Sequence, residues 1–138
     1  MINAKEIIEE QVISLAKKIS LSAITAPKAR GVDNLEIRIA YGKELEQISE
    51  KLKELNQKTG QEFLLRDSNN VLQSQAVILI GSKVKVLGLD CGYCGFNSCK
   101  EKEEKAPFAP CFFNSNDLGI AIGSMCSQIA DHRIDSRV

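Results

Sequence analysis

The chain has 138 residues, and its 18 basic and 18 acidic side chains cancel to a formal net charge of zero. This length suits one compact domain, so we expect residues 1–138 to form one domain. The balanced charge argues against nucleic-acid binding. The longest apolar run, residues 76–80, is too short to cross a membrane, and charged side chains interrupt the N-terminal stretch, so we expect a cytoplasmic protein without a signal peptide.

The first predicted element is an amphipathic helix over residues 4–25. Asn3 and Glu6 have the spacing of a capping box at its start. The stripe of apolar side chains recurs at steps of three and four and comprises Ile8, Val12, Leu15, Ile19 and Ala23. A proline and a glycine then predict a loop over residues 26–34.

The middle of the chain predicts a strand followed by a second helix. Apolar and polar residues alternate over residues 35–41, which is typical of a strand covered on one face. Residues 43–59 have a helical apolar stripe, and Gly60 stands where a helix C-cap belongs. The next segment is mixed, and we expect a short strand or turn around residues 63–65 and one helical turn near residues 70–72.

The second half predicts further strands, a loop and a last helix. Residues 76–81 form an unbroken apolar run, as in a strand buried on both faces, and residues 84–87 favour a shorter strand. Residues 90–113 contain most of the cysteines and are expected to be irregular. Residues 117–130 have a helical stripe. Helices packed on a sheet therefore give an α+β chain.

Four of the five cysteines lie close together, separated by two, four and eleven residues: Cys91, Cys94, Cys99 and Cys111. In a reducing compartment such a group favours metal binding over disulfides. Gly92 and Gly95 let the backbone turn sharply between them, and Pro110 stiffens the approach to the last one. We interpret the four thiolates as the ligands of one 4Fe–4S cluster. Cys126 stands apart and is expected to be a buried apolar residue.

Two alternatives to the cluster stay open, a structural zinc ion and disulfides, because zinc also binds four thiolates. The surroundings favour a cluster: five of the seven Phe and Tyr side chains lie between residues 93 and 113, as in an apolar shell that excludes water. The charged stretch at residues 100–105 is expected to be a solvated face, which would also orient a redox partner.

The cysteine motif LDCGYCGFNSC at residues 89–99 is similar to the 4Fe–4S motif of the corrinoid iron–sulfur protein family. Five segments in order resemble an uncharacterised family of ferredoxin-domain-containing proteins from anaerobic bacteria and archaea. They are TAPKARGVDN at residues 25–34, LRD at 65–67, AVILIG at 76–81, the cysteine motif, and DLGIA at 117–121. This resemblance implies an iron–sulfur cofactor more than it implies an activity.

That family in turn resembles the nitroreductases, which are homodimers that bind FMN. Ala26 and Pro27 stand where nitroreductases contact their flavin, and residues 117–121 resemble the start of their dimer-core helix. The resemblance implies a three-layer nitroreductase-like sheet with packed helices and an inserted cysteine-rich cluster loop, in a chain that is short at its C-terminus. It also makes FMN a possible second cofactor. Lys28, Arg30 and Asn34 are the candidate contacts, and the alternative, which we favour for Lys28 and Arg30, is that they are solvated charges on the loop.

Three functions compete. The first is electron transfer through the cluster, to a flavin or to a partner redox protein. The second is a structural zinc or cluster site in a non-catalytic interaction module, and the third is an FMN-dependent reductase. The sequence identifies no catalytic residue, so whether the protein is an enzyme stays open. We expect a homodimer, because the apolar first and last helices exceed what one small sheet covers.

Overall fold

A computed structural model describes the whole chain, Met1–Val138. It is an α+β structure with five α-helices, two β-strands and one 3-10 turn at Ala29–Gly31. In chain order the elements are α1 (Ala4–Thr25), β1 (Leu35–Tyr41), α2 (Lys43–Thr59), α3 (Glu62–Gln73), β2 (Ala76–Ser82), α4 (Cys99–Lys105) and α5 (Phe112–Asp131). None of these helices combines the length and the apolar character that crossing a membrane requires.

Helix α1 begins at the predicted capping box. The Asn3 side chain accepts a hydrogen bond from the Glu6 N–H at 3.1 Å, and the Glu6 carboxylate accepts one from the Asn3 N–H at 3.1 Å. These two bonds satisfy donors that the first helical turn leaves open. The prediction of both the helix and its cap is confirmed.

Strands β1 and β2 pair as a two-stranded sheet. The Lys83 N–H donates to the Asn34 carbonyl at 2.8 Å, so the start of β1 lies beside the end of β2 and the pair is antiparallel. The strand predicted at residues 84–87 is absent, and the expectation that both faces of β2 are buried is wrong, because Leu79 is exposed. A sheet of two strands offers too little neighbouring surface to cover both faces of an apolar run.

The chain divides into two compact units, and the first comprises residues 1–18 and 38–79. In it, α2 has the predicted bounds and ends at Gly60, whose left-handed backbone (φ 70°) donates to the Asn56 carbonyl at 2.7 Å. Helix α3 replaces the strand or turn predicted at residues 63–65. It packs on α2, and this tertiary contact overrides the strand preference of the short apolar run.

The second compact unit comprises residues 19–37 and 80–138. Its α5 lies beside the end of α1, because the Ser124 hydroxyl donates to the Ser22 carbonyl at 3.0 Å. Two expectations for this unit are wrong: α5 begins five residues before the predicted start at residue 117, and α4 lies within the segment predicted to be irregular. The three-layer nitroreductase-like sheet and the assignment of residues 1–138 to one domain stay predictions.

Candidate metal centre

One pocket in the second unit is lined by all four predicted ligands, Cys91, Cys94, Cys99 and Cys111. Most of its remaining wall is apolar and comprises Val86, Leu87, Leu89, Phe96, Phe112 and Phe113. Residues 91–111 thus fold so that all four cysteines lie in the wall of one largely apolar pocket. Their role as metal ligands stays a prediction.

A tight turn presents the first two cysteines. Gly92 and Gly95 both adopt left-handed backbone angles, φ 75° and 85°, which glycine adopts without steric cost. The Gly95 N–H donates to the Gly92 carbonyl at 2.8 Å. This bond closes the turn with Cys94 inside it, and the predicted need for glycine at these positions is met.

The third cysteine is the first residue of α4. The Cys99 N–H donates to the Asp90 carboxylate at 2.6 Å, and Ser98 caps the helix by accepting from the Glu101 N–H at 3.1 Å. Asp90 itself has a left-handed backbone (φ 47°), a conformation that aspartate tolerates better than most residues. Asp90 therefore links the residue before Cys91 to the first residue of α4 by a hydrogen bond. The sequence analysis missed this residue, although its place directly before Cys91 was a usable signal.

The carboxylate of Glu101 fixes the turn before α4. It accepts the Asn97 N–H at 2.9 Å and pairs with the Lys105 ammonium at 2.7 Å. The hydrogen bond from Lys105 lowers the pKa of Glu101, and the bond from the Asn97 N–H lowers it further. The charged form of Glu101 is thus the one that holds this turn.

The fourth cysteine is the N-cap residue of α5 and is buried. The first N–H groups of a helix and its dipole stabilise negative charge at this end. Since the thiolate is the form that binds metal, Cys111 is well placed to act as a ligand.

The chemistry of this donor set suits an iron–sulfur cluster, but the space between the sulfurs is small. The cavity has a volume of about 10 Å³, which leaves room for about one water molecule. All five cysteines are free thiols, and no group of three or more His, Cys, Asp or Glu side chains is close enough together to hold one metal ion. A cluster of several atoms therefore requires the pocket to widen.

Lys102 also lines this pocket. It lies on α4 and is 1% exposed, so the expectation that residues 100–105 form a solvated face is wrong at this position. The alternation of charges in the stretch gives no sign of which lysine points inward. Burial of Lys102 is decided by the way α4 packs, and the sequence analysis missed it.

The aromatic side chains form a wall rather than a closed shell. Tyr93 stacks on Phe112 with ring centroids 5.2 Å apart, and Phe113 meets both rings edge-on at 5.9 and 5.5 Å. Tyr93 and Phe112 are exposed, and Phe108 is 92% exposed. The expected shell is therefore wrong for Phe108, and the pocket lies close to the protein surface on this side.

The predicted flavin contact Lys28 is bound within the chain. Its ammonium, with a side chain only 5% exposed, donates to the carbonyls of Ala23, Ile24 and Ala26 at 3.0, 2.6 and 3.1 Å. These carbonyls belong to the end of α1 and the residue after it, where a helix lacks partners for its last acceptors. Lys28 thus caps α1.

The other two candidate flavin contacts are also bonded internally. Arg30 donates to the Leu87 carbonyl at 2.5 Å, and the Asn34 side chain donates to the Asn114 side chain at 3.1 Å. Asn114 is buried on α5 and donates in turn to the Lys85 carbonyl at 2.6 Å. These bonds join the loop at residues 26–34 to α5 and to the segment after β2. Contact with a flavin stays a prediction.

The remaining cysteine and the histidine lie elsewhere. Cys126 is half-buried on α5, instead of fully buried as expected, and is not part of the pocket wall. His132 follows α5 and is exposed. Neither residue belongs to the cysteine site.

Comparison with known proteins identifies two similarities. Residues 108–138 match the family described as "Uncharacterized protein containing a ferredoxin domain" (DUF2148), a stretch that includes Cys111 and α5. The whole chain is 38% identical, over 145 aligned residues, to an uncharacterised protein of Archaeoglobus fulgidus, and it covers 78% of that protein. No solved structure has significant similarity to the chain.

Proposed function

Since this chain belongs to the family of uncharacterised proteins that contain a ferredoxin domain, we propose that it is a redox protein with one 4Fe–4S cluster on Cys91, Cys94, Cys99 and Cys111. The membership itself supports an iron–sulfur protein. The cluster type, its four ligands and the electron-transfer role are our proposal. The observation that carries it is the pocket that all four cysteines line together.

The pocket supplies the donor atoms and apolar neighbours that a cluster of this kind needs, and it widens to admit one. Four thiolates complete its coordination, and the cluster when bound supplies reversible one-electron transfer. The apolar side chains Val86, Leu87 and Phe96 limit the access of water on their side of the pocket.

The exposed side of the pocket favours exchange of electrons with a partner. Cys91 and Tyr93 are both exposed, so a bound cluster lies near the surface. The charged outer side of α4, with Lys100 paired to Glu104 at 3.9 Å, orients an approaching redox protein or flavoprotein. We propose electron transfer to such a partner.

The experiment is anaerobic reconstitution of the whole chain with ferrous iron and sulfide. We expect about four iron atoms and as many sulfides per chain, as the cluster type requires, broad visible absorption, and an EPR signal that appears on reduction with dithionite. Protein that takes up no iron under these conditions contradicts the proposal.

A structural zinc site is the second candidate, and one observation favours it. The turn that carries Cys91 and Cys94 is closed by the Gly95 N–H on the Gly92 carbonyl, and zinc proteins commonly take two ligands from a turn of this spacing. Metal analysis of protein purified without oxygen separates the two. Stoichiometric zinc with no reversible reduction supports the structural site, and iron with reversible reduction supports the redox function.

We also propose that the protein acts as a homodimer. Helix α1 leaves large apolar side chains exposed, among them Ile7, Ile8, Leu21 and Ile24. A second copy of the chain that covers this helix removes them from water, which favours association. Sedimentation equilibrium is the test, and a monomer at micromolar concentration contradicts the proposal.

A further inference from the structure

One side of the cysteine pocket is formed by residues 83–89, which directly precede the cysteine segment. Val86, Leu87 and Leu89 lie in the pocket wall, and Leu87 is buried. Residues 83–89 form no helix or strand, so no ladder of backbone hydrogen bonds fixes their position. The carbonyls of such a segment need partners from elsewhere in the chain, and those partners decide where this side of the wall lies.

The partners are two side chains from distant parts of the sequence. The Asn114 amide nitrogen donates to the Lys85 carbonyl at 2.6 Å and to the Lys83 carbonyl at 3.3 Å. The Arg30 guanidinium donates to the Leu87 carbonyl at 2.5 Å. Three carbonyls of the segment, at alternate residues, are thus held by side chains outside it.

Asn114 joins the two sides of the pocket wall. It is 2% exposed, and its amide oxygen accepts from the Asn34 side chain at 3.1 Å, so the donors and the acceptor of this amide are all engaged. Asn114 is also the third residue of α5, and it follows three residues that line the pocket, Cys111, Phe112 and Phe113. One buried side chain therefore connects the start of α5 to the segment on the other side of the pocket.

We propose that Asn114 is a positioning residue of the metal centre: it fixes residues 83–89 against the start of α5, limits the access of water to a bound iron–sulfur cluster, and so keeps the reduction potential of that cluster low. The inference rests on the proposed function. Reduction adds one negative charge to the cluster, and water stabilises the more highly charged state better than an apolar wall does. Arg30 and Asn34, the predicted flavin contacts, support the same wall.

The test compares Asn114→Ala with Ser124→Ala in the reconstituted chain. Both substitutions remove a hydrogen bond from an α5 side chain to a distant carbonyl, since the Ser124 hydroxyl donates to the Ser22 carbonyl, and neither changes the net charge. Ser124 is not part of the pocket wall. We expect Asn114→Ala to make one-electron reduction about tenfold more favourable, which raises the midpoint potential by about 59 mV, and Ser124→Ala to leave the potential unchanged. An unchanged or lower potential in Asn114→Ala, or equal shifts in both variants, overturns the inference.

A second readout needs no cluster. Hydrogen exchange of the metal-free chain reports how firmly residues 83–89 are held, and we expect their amides to exchange faster in Asn114→Ala than in wild type or Ser124→Ala. Equal exchange in this segment contradicts the inference, because the segment is then held without Asn114. Faster exchange together with an unchanged potential also overturns it, because the bonds of Asn114 then have only a structural role.

A milder variant covers the case in which Asn114→Ala does not fold or binds no cluster. Asn34→Ala removes only the bond that orients the Asn114 amide and leaves its two donated bonds in place. We expect a smaller rise of the midpoint potential in Asn34→Ala, and in that case a potential equal to that of the wild type overturns the inference. Failure of the proposed function is distinct from these outcomes, because the wild-type chain then takes up no iron at all.

Discussion

Two segments contain the candidate ligand-binding residues of this chain, the loop at residues 26–34 and the cysteine segment at residues 90–113, and their polar groups differ in how they are bonded. In the loop at residues 26–34, the cationic groups of Lys28 and Arg30 both donate to backbone carbonyls, and Asn34 bonds to another buried amide. In the cysteine segment, the thiols are free and the neighbouring Lys102 is buried in the pocket wall. The sequence predicted a binding site in both segments, and only the cysteine segment has thiols that are free to bind a ligand.

The difference has a simple energetic basis. A buried charge that already has good partners gains little from a ligand, since binding exchanges one set of hydrogen bonds for another. A buried charge or thiolate without partners gains much more. The bonding state of the polar groups therefore separates a structural loop from a binding site better than their chemical type does.

The largest expected effect comes from removing one ligand of the cysteine segment. We expect Cys94→Ala to prevent stable binding of the cluster, so that iron after anaerobic reconstitution falls from about four atoms per chain to less than about one. Cys126→Ala is the matched control, because Cys126 lies outside the pocket, and it retains full iron. Equal iron in both variants contradicts the assignment of the ligands.

The next effect concerns the other segment. Lys28→Met removes the ammonium that caps α1, and since hydrogen bonds of charged groups contribute about 1.5–3 kcal/mol, we expect the free energy of unfolding to fall by that amount in urea denaturation. Lys18→Met, at an exposed position of the same helix, changes it by less than about 0.5 kcal/mol. Iron per folded chain stays constant in both. If Lys28→Met left stability unchanged but abolished FMN binding in a fluorescence titration, Lys28 would be a flavin contact instead.

A smaller effect is expected at the bond that closes the cysteine loop. Asp90→Ala removes the acceptor of the Cys99 N–H, a loss of about 1 kcal/mol, so a chelator removes iron roughly fivefold faster. Asp90→Asn keeps an oxygen acceptor and tolerates the left-handed backbone, so we expect a rate near that of the wild type. Stopped-flow absorption with a chelator measures both rates. Equal rates for the two variants show that the bond does not hold the loop in the loaded protein.

The smallest expected effect concerns an unpartnered polar group that lies outside both segments. Ser49 on α2 has a buried hydroxyl without a hydrogen-bond partner, yet it is no part of the cysteine pocket. We expect Ser49→Ala to stabilise the protein by about 1 kcal/mol, because it removes an unsatisfied group, and to leave iron uptake unchanged. Ser68→Ala is the control, since the Ser68 hydroxyl donates to the Leu65 carbonyl at 2.7 Å, and it does not stabilise. If Ser49→Ala altered iron uptake, an unpartnered polar group outside the cysteine pocket would also affect binding of the cluster.

Local sequence signals were enough to predict the ends of an element where residues close in sequence fix those ends. Asn3 and Glu6 cap α1 within one turn, and Gly60 ends α2 through its own backbone angle. The bounds of α1, β1 and α2 follow from such short-range patterns. The spacing of the four cysteines also predicted that they share one site, and all four line one pocket, while their role as ligands stays a prediction.

Tertiary structure decided what depends on distant neighbours. Helix α3 forms at residues predicted to contain a short strand because α2 offers it a packing surface. Helix α4 forms within the cysteine segment, where the Cys99 N–H at its start binds Asp90 from the other end of the loop. The apolar run of β2 stays partly exposed because the sheet has only two strands.

The sequence by itself determined the four thiols, their spacing and the helix ends that rest on neighbouring residues, because these are local properties of a chain. It did not determine which charged residues become buried or bonded: Lys28 and Lys102 are both lysines in polar stretches, and only the folded chain surrounds Lys28 with carbonyls and buries Lys102 in the wall of the cysteine pocket. The reason is that the electrostatic surroundings of a buried charge come from residues far away in sequence, which meet it only after packing.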